Sequence, residues 1–296
     1  IYDLLESEKR NEAARRDWQG FLGGRSIRTL LDVSIGTGGM TLPLQELGIA
    51  VCGSDLSEAM LKRCGEKAMK KQRPVELKRC DFRDLSAWQD RQFDCVTSTG
   101  NSLGYVSNEE VRKVLEEMDA HVRPGGYLCF DSRNWEKIQR EKQRFYLYPP
   151  FFHEGTRINL VQVWDHNPDG TITFNLLYTF ERENRIVQKE IFEERYTPFP
   201  LEIARRKLRE MGYGEPEVKP VPSFAPRRTL RTWIGTGSSR RSSRPFLIDM
   251  EANHFEFLPI GVNRGSHNDG NRCVGLAVLQ PGLFKYMYLS DLKVSR

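Results

Sequence analysis

The stretch "RTLLDVSIGTGG", residues 28–39, joins an apolar run to a turn rich in glycine. Leu30, Leu31 and Val33 read as a buried β-strand, and the segment "MTLPLQELG" (40–48) that follows reads as a helix. Glycines at Gly36, Gly38 and Gly39 let the backbone turn tightly and approach a ligand where a Cβ would collide, while a helix start favours negative charge. Alone, such a turn fits a dinucleotide fingerprint as well as other nucleoside-binding turns. The residues that separate these readings lie downstream. "AVCGSD" (50–55) is a second strand ending in Asp55, which stands seventeen residues beyond Gly38, where a carboxylate suits a ribose diol. "VELKRCDF" (75–82) is a third strand that ends in Asp81 and Phe82, a pairing of acceptor and ring suited to a purine.

Working outward, strand-like and helix-like segments alternate from about 28 to 133, the signal of a parallel sheet with crossover helices. "SEAMLKRCGEKAMKK" (57–71) is a helix opened by Ser57, and "FDCVTST" (93–99) and "YLCFDSR" (127–133) are further strands. Between those two, "SNEEVRKVLEEMDAHVRPGG" (107–126) is a helix that begins at a Ser/Asn cap and stops at Arg123-Pro124-Gly125-Gly126. The expected fold is α/β, a Rossmann-like doubly wound and mostly parallel sheet carrying an antiparallel β insertion. That core takes in residues 1–142 and 198–226. The insertion, 143–197, shows period-2 runs such as "INLVQVWDHNPDGTITFNLLYTFERE" around an Asn167-Pro168-Asp169-Gly170 turn, and is expected to cover the substrate. "PLEIARRKLREMGY" (200–213) returns to helix, and "EPEVKPVPSF" (215–224) reads as a strand. Residues 227–296 read as a basic linker and an unassigned C-terminal segment, in which "FEFLPIGV" and "RCVGLAVLQPG" have the texture of edge strands.

Composition narrows the class of partner. The 296 residues, 39% of them hydrophobic, carry a net charge of +5. That excess gathers in one stretch containing Arg227, Arg228, Arg231, Arg240, Arg241 and Arg244 without an acid, so no general polyanion binder is implied. Its one aromatic is Trp233, too few for a stacking platform. Cys52, Cys64, Cys80, Cys95, Cys129 and Cys273 show no CxxC spacing, and several sit in apolar runs where a thiol acts as a small hydrophobe. No apolar run is long enough to span a bilayer. These features point to a reduced, metal-free, cytoplasmic chain without a membrane partner, and leave a homo-oligomer open.

Taken in order, the glycine turn after Asp32, Asp55 ending the second strand, Asp81-Phe82 ending the third and the "RPGG" turn before the fifth resemble the class I S-adenosylmethionine-dependent methyltransferases. Ser34 stands where many of that class have their first glycine. The resemblance implies S-adenosyl-L-methionine as cofactor, and implies that Asp32, Ser34, Gly36, Gly38, Asp55, Leu56, Asp81, Phe82 and Thr99 surround it. Arg10, in an N-terminal helix, would meet the methionyl carboxylate.

Within the class, "GNSLGY" (100–105), "DSRNW" (131–135), "LLYTFER" (176–182) and "ERYTPFP" (194–200) are similar to the glycine and sarcosine N-methyltransferases. This similarity implies a small amine substrate whose carboxylate is held by Asn101 and Arg133. Tyr178 and Tyr196 would line the methyl-transfer pocket as catalytic tyrosines, with Tyr105 on the substrate where the animal glycine enzyme has histidine. A guanidinium grips a carboxylate through two parallel hydrogen bonds, which a lysine cannot reproduce. Two other readings stand beside this one: a non-catalytic sensor or scaffold that binds the cofactor, and a methyltransferase of a larger or nucleic-acid acceptor. A sensor has no need of the Asn101 and Arg133 pair, and "TGNSLGY" differs from the "NPPY"-type signature of base-modifying enzymes.

Overall fold

The computed structural model describes residues 8–220 and 231–237. A seven-stranded sheet runs in the order β11-β12-β5-β4-β1-β2-β3, from β1 (Thr29–Asp32), β2 (Ala50–Asp55), β3 (Glu76–Arg79), β4 (Phe93–Ser98), β5 (Val122–Arg133), β11 (Glu217–Pro220) and β12 (Arg231–Gly237). Strands β1 to β5 are parallel, and β12 enters antiparallel between β5 and β11. The strand order reverses at the β1–β4 boundary, and in open parallel sheets a crevice opens there beyond the carboxyl ends of the strands. Every residue of β4 is buried, as a central parallel strand covered on both faces requires.

The flanking helices follow local chemistry. α2 (Glu58–Lys70) is capped by the Ser57 side chain, and α3 (Asn108–Ala120) by a full capping box in which Ser107 and Glu110 exchange hydrogen bonds. α3 then buries Val111, Val114, Leu115 and Met118 against the sheet. At the N-terminal side α1 (Glu8–Leu22) sinks Trp18, 1% exposed, and its indole N–H donates to the Met40 carbonyl at 2.8 Å. This bond ties α1 to the segment just after the glycine turn.

A second, five-stranded antiparallel sheet is built from β6 (Phe145–Leu147), β7 (Phe151–His153), β8 (Thr156–His166), β9 (Ile172–Arg182) and β10 (Arg185–Tyr196), in the order β10-β9-β8-β6 with β7 also on β8. Burial alternates along β8 and β9, so Leu160, Gln162, Trp164, Phe174, Leu176 and Tyr178 face inward. α4 (Trp135–Glu141) and α5 (Leu201–Glu210) flank the insertion in sequence.

Four expectations change. Residues 42–47 form a 3-10 helix rather than an α-helix, since Pro43 at its start removes a donor and the segment ends within two turns at Gly48. The helix expected to stop at 123–126 ends at Ala120; Arg123 to Gly126 belong to the start of β5, where Val122 pairs with Phe93 before a register shift to Cys95 and Tyr127. β3 stops at Arg79, so Asp81 and Phe82 sit in the turn after it. The basic stretch read as linker contains a strand: Arg231 to Gly237 pair with β5 on one side and, from Thr232 to Gly235, with β11 on the other. Backbone pairing between two strands outweighs a composition unsuited to a core. The described part of the expected 215–224 strand is β11, and residues 227–230, Cys273 and the two edge-strand segments of the tail lie outside the described residues.

Candidate functional site

The turn after β1 is held from below by Asp32. Its carboxylate, fully buried, accepts the Ser34 N–H at 3.1 Å and the hydroxyls of Thr41 at 3.0 Å and Thr99 at 2.7 Å. Burial pushes its pKa up to about 7 against the pull of these hydrogen bonds. The Ser34 hydroxyl donates to the Thr99 carbonyl and accepts the Thr99 N–H, both at 2.9 Å, and lies 3.0 Å from the Ser98 hydroxyl. Ser34 thus stitches the β1 turn to the end of β4, a task a glycine cannot perform. Asp32, Ser34 and the Thr99 side chain therefore shape the crevice from behind.

The turn itself climbs through Gly36 (φ 55°) and Gly38 (φ 82°), both in the left-handed region. A Cβ on Gly38 would lie 2.5 Å from Leu42 Cδ1 and 2.8 Å from Cys64 Sγ, whereas nothing stands within 4 Å of one on Gly36. The chain is therefore tight beneath Gly38 and open beside Gly36. Asp55, at the end of β2, closes this edge: one carboxylate oxygen accepts the Gly36 N–H at 2.9 Å, the other the Ser57 N–H at 2.8 Å. Leu56 beside it is 61% exposed, an apolar surface at the rim of the crevice. Asp81 is engaged by the guanidinium of Arg83, which holds its carboxyl below the usual range. Phe82 is half-buried against the core.

At the neighbouring strand ends, Asn101 follows β4 in a left-handed conformation (φ 63°) and is 2% exposed. Its Oδ1 accepts the Arg133 backbone N–H at 2.9 Å, and its Nδ2 has no hydrogen-bond partner. Arg133, closing β5, lays its guanidinium 5.2 Å from the Trp164 ring centre and 4.9 Å from that of Phe174. Among the described residues it pairs with no carboxylate, and its Nε is buried without a partner. Asp131, two residues before Arg133, accepts the Gly100 N–H at 2.6 Å.

Tyr178 and Tyr196 are both buried on the antiparallel sheet. Tyr196, 4% exposed, packs against Trp135 (5.7 Å between ring centres) and Phe174 (4.7 Å). Its hydroxyl donates to Glu194 Oε2 at 2.5 Å and lies 2.9 Å from that of Tyr105. Burial, then the neighbouring Tyr105 and Glu194, raise the Tyr196 pKa well above an ordinary phenol; the Arg133 charge pulls the other way. Tyr178, also 4% exposed, is pushed up to about 12 by burial, and the charge of Arg10 acts against that rise. Tyr105 is half-exposed at the mouth.

Sequence reasoning missed Trp164, Phe174, Trp135 and Glu194. The first two were legible as the inward-facing aromatics of adjacent period-2 runs, and their register places them side by side. Glu194, in "FEERY", reads as one of several surface acids.

Residues 30–126 match the family described as "Methyltransferase domain". The chain carries a class I methyltransferase domain. Relatives extend this beyond the sheet. The chain is 27% identical over 213 residues to a glycine/sarcosine/dimethylglycine N-methyltransferase of Actinopolyspora halophila, an alignment spanning 71% of this chain but 36% of that protein. It is 27% identical over 189 residues to a glycine/sarcosine N-methyltransferase of Aphanothece halophytica, spanning 64% of this chain and 67% of that one. Among solved structures, an amino pentose methyltransferase of Micromonospora echinaspora with bound S-adenosylmethionine superposes with a TM-score of 0.64 at 19% identity, over 80% of this chain and 94% of that one. That likeness shows the methyltransferase fold. No described helix is long and apolar enough to cross a membrane.

Proposed function

We propose that this chain is an S-adenosylmethionine-dependent N-methyltransferase acting on the amine of a small, carboxylate-bearing substrate of the glycine or sarcosine kind. The crevice suits the cofactor. The open side of the turn at Gly36, the Asp55 carboxylate hydrogen-bonded to that turn, and the uncovered Leu56 offer a ribose diol its acceptor and a purine its apolar contact. Gly36, Gly38, Asp55 and Leu56 would hold the nucleoside, the Thr99–Gly100 end of β4 the methionyl part, and Arg10 the methionyl carboxylate. Asp81 is tied to Arg83, so its part is to fix the turn that carries Phe82. When bound, S-adenosylmethionine supplies an activated methyl group on a sulfonium sulfur.

The observation that carries the substrate class is the Arg133 guanidinium, laid against the stacked Trp164 and Phe174 rings without a carboxylate among the described residues. A buried donor without its partner costs about 1–3 kcal/mol, more when it is charged. The unpartnered amide of Asn101 adds a second donor at the end of the neighbouring strand. An incoming carboxylate satisfies both. Trp135, Trp164, Phe174 and Tyr196 exclude water around it, which strengthens each ionic contact and leaves the amine in a dry, fixed position. Tyrosine oxygens and ring faces favour the positive charge that develops on the amine. The names of the Actinopolyspora and Aphanothece relatives agree with this class; an amino sugar, as in the Micromonospora neighbour, would leave Arg133 without an anion. Incubation with labelled cofactor and a panel of amino acids, amino-acid amides and amino sugars, read by mass spectrometry, tests the reading. Label should enter carboxylate-bearing amines, and label confined to amides or amino sugars would overturn it.

A further inference from the structure

The register of the antiparallel sheet sets Trp164, Phe174 and Glu194 side by side on β8, β9 and β10. Neighbouring strands stand about 4.8 Å apart, so this rung spans about 10 Å. Arg133 lies over the Trp164 and Phe174 rings, and Glu194 stands at the opposite end. Tyr196, two residues on and on the same face, spans the gap: it packs on Phe174 and donates its hydroxyl to Glu194. A positive group and a negative group thus bracket one aromatic floor, which is the charge pattern of an amino-acid zwitterion.

We propose that Glu194, acting through the Tyr196 hydroxyl, takes the proton that the acceptor amine must shed. This rests on the amine-methylation reading above. An amino acid arrives as an ammonium ion, whose nitrogen has no free lone pair until one N–H bond breaks. In that step the ammonium proton passes to the Tyr196 oxygen while the hydroxyl proton of Tyr196 crosses to Glu194 Oε2. The amine becomes neutral, Tyr196 remains a phenol, and Glu194 becomes a carboxylic acid. Glu194 is partly exposed and returns the proton to water, restoring the starting state. A tyrosinate is never formed, in keeping with the burial that holds the Tyr196 proton in place. Glu194 is a positioning and proton-accepting residue behind Tyr196, which is the group that meets the amine.

Among the described residues, Tyr105 after β4, Arg133 on β5 and Tyr178 on β9 act on this pair, and Arg10 on α1 acts on Tyr178. Arg133 is committed to the carboxylate and Tyr178 is held protonated by burial. Tyr105 meets Tyr196 through its own hydroxyl, at 2.9 Å.

The test compares wild type, Glu194→Gln, Glu194→Asp and Tyr196→Phe in the full chain. Two readouts are taken: steady-state methylation of sarcosine or glycine from about pH 6 to 10, and ultraviolet titration of the phenols. Glu194→Gln should lower kcat by about 100-fold with KM little changed across that range. Glu194→Asp should recover part of the rate. The titration has its own sign: Gln removes a negative charge from beside Tyr196, so the Tyr196 phenol pKa should fall, and in Tyr196→Phe that phenol should vanish. An active wild type with Glu194→Gln within twofold of it across the pH range, and an unmoved phenol, would overturn the relay and leave the substrate reading standing. A wild type inactive on every carboxylate-bearing amine would overturn the substrate reading and the relay together.

Discussion

The side-chain oxygen of Asn101 accepts the backbone N–H of Arg133 at 2.9 Å, so the residues that leave β4 and β5 are fastened as one unit. The bond consumes the acceptor of Asn101 and leaves its amide donor buried and available. Asn101→Asp preserves the acceptor and tolerates the left-handed backbone, but replaces that donor with a charge facing the incoming carboxylate. Acceptor KM should rise about tenfold or more, with cofactor affinity within about twofold. Parallel kinetics and calorimetry separate the two effects.

Asp55 joins the glycine turn to the end of β2 through the Gly36 and Ser57 N–H groups. Asp55→Ala removes charge-assisted hydrogen bonds worth about 1.5–3 kcal/mol, or about ten- to a hundredfold in cofactor affinity. Titration calorimetry with S-adenosylmethionine or its demethylated product checks this, and unchanged binding would displace the site from this turn.

Gly38→Ala meets two obstacles, a left-handed backbone and a Cβ driven into Leu42 and Cys64. Together they should cost about 2–5 kcal/mol. The double variant with Leu42→Ala should recover only the Leu42 share of the steric part, whereas Gly36→Ala, with open space around it, should show only the backbone term. Chemical denaturation of the set gives the comparison.

Asp32 gives stability a pH dependence. Its folded pKa of about 7 lies above the ordinary 3.8, so between those values the folded chain holds a proton that the unfolded chain has released. The contribution is therefore full below the lower value, declines as pH rises through this window and is gone above the upper one. One proton limits the slope to about 1.4 kcal/mol per pH unit. Asp32→Asn cannot titrate and should show a flatter stability profile between about pH 4 and 7, read by denaturant midpoints.

The half of the molecule that carries the turn was legible in the sequence because its strands are short apolar runs ended by glycine, asparagine or an acid, and their order placed the crevice. Asn101 and Arg133 were legible as polar residues at the ends of such runs, and the structure brings them together. β12 was not: its partners β5 and β11 supply the backbone pairing, and neither the Arg/Ser-rich neighbourhood nor periodicity announces them. Asp81 was read as a free acceptor, but Arg83 two residues on folds back onto it, an encounter a turn makes and a strand would not. Glu194 was hidden for a related reason. β10 is largely exposed, and only its register beside Phe174 and the neighbouring Tyr196 sets this acid apart from Glu190 and Glu193.

The central claim is that Arg133 holds the acceptor's carboxylate, and a double cycle tests it most directly. Wild type and Arg133→Ala are compared against an amino acid and its uncharged amide, with Arg133→Lys as the variant that keeps charge but loses the fork. The account predicts that the amino acid loses about 100-fold or more in kcat/KM on Arg133→Ala and somewhat less on Arg133→Lys, while the amide, already poor, changes little and cofactor affinity holds. Equal losses for both acceptors would mean that Arg133 supports the fold or the cofactor, and would contradict a carboxylate-bearing substrate.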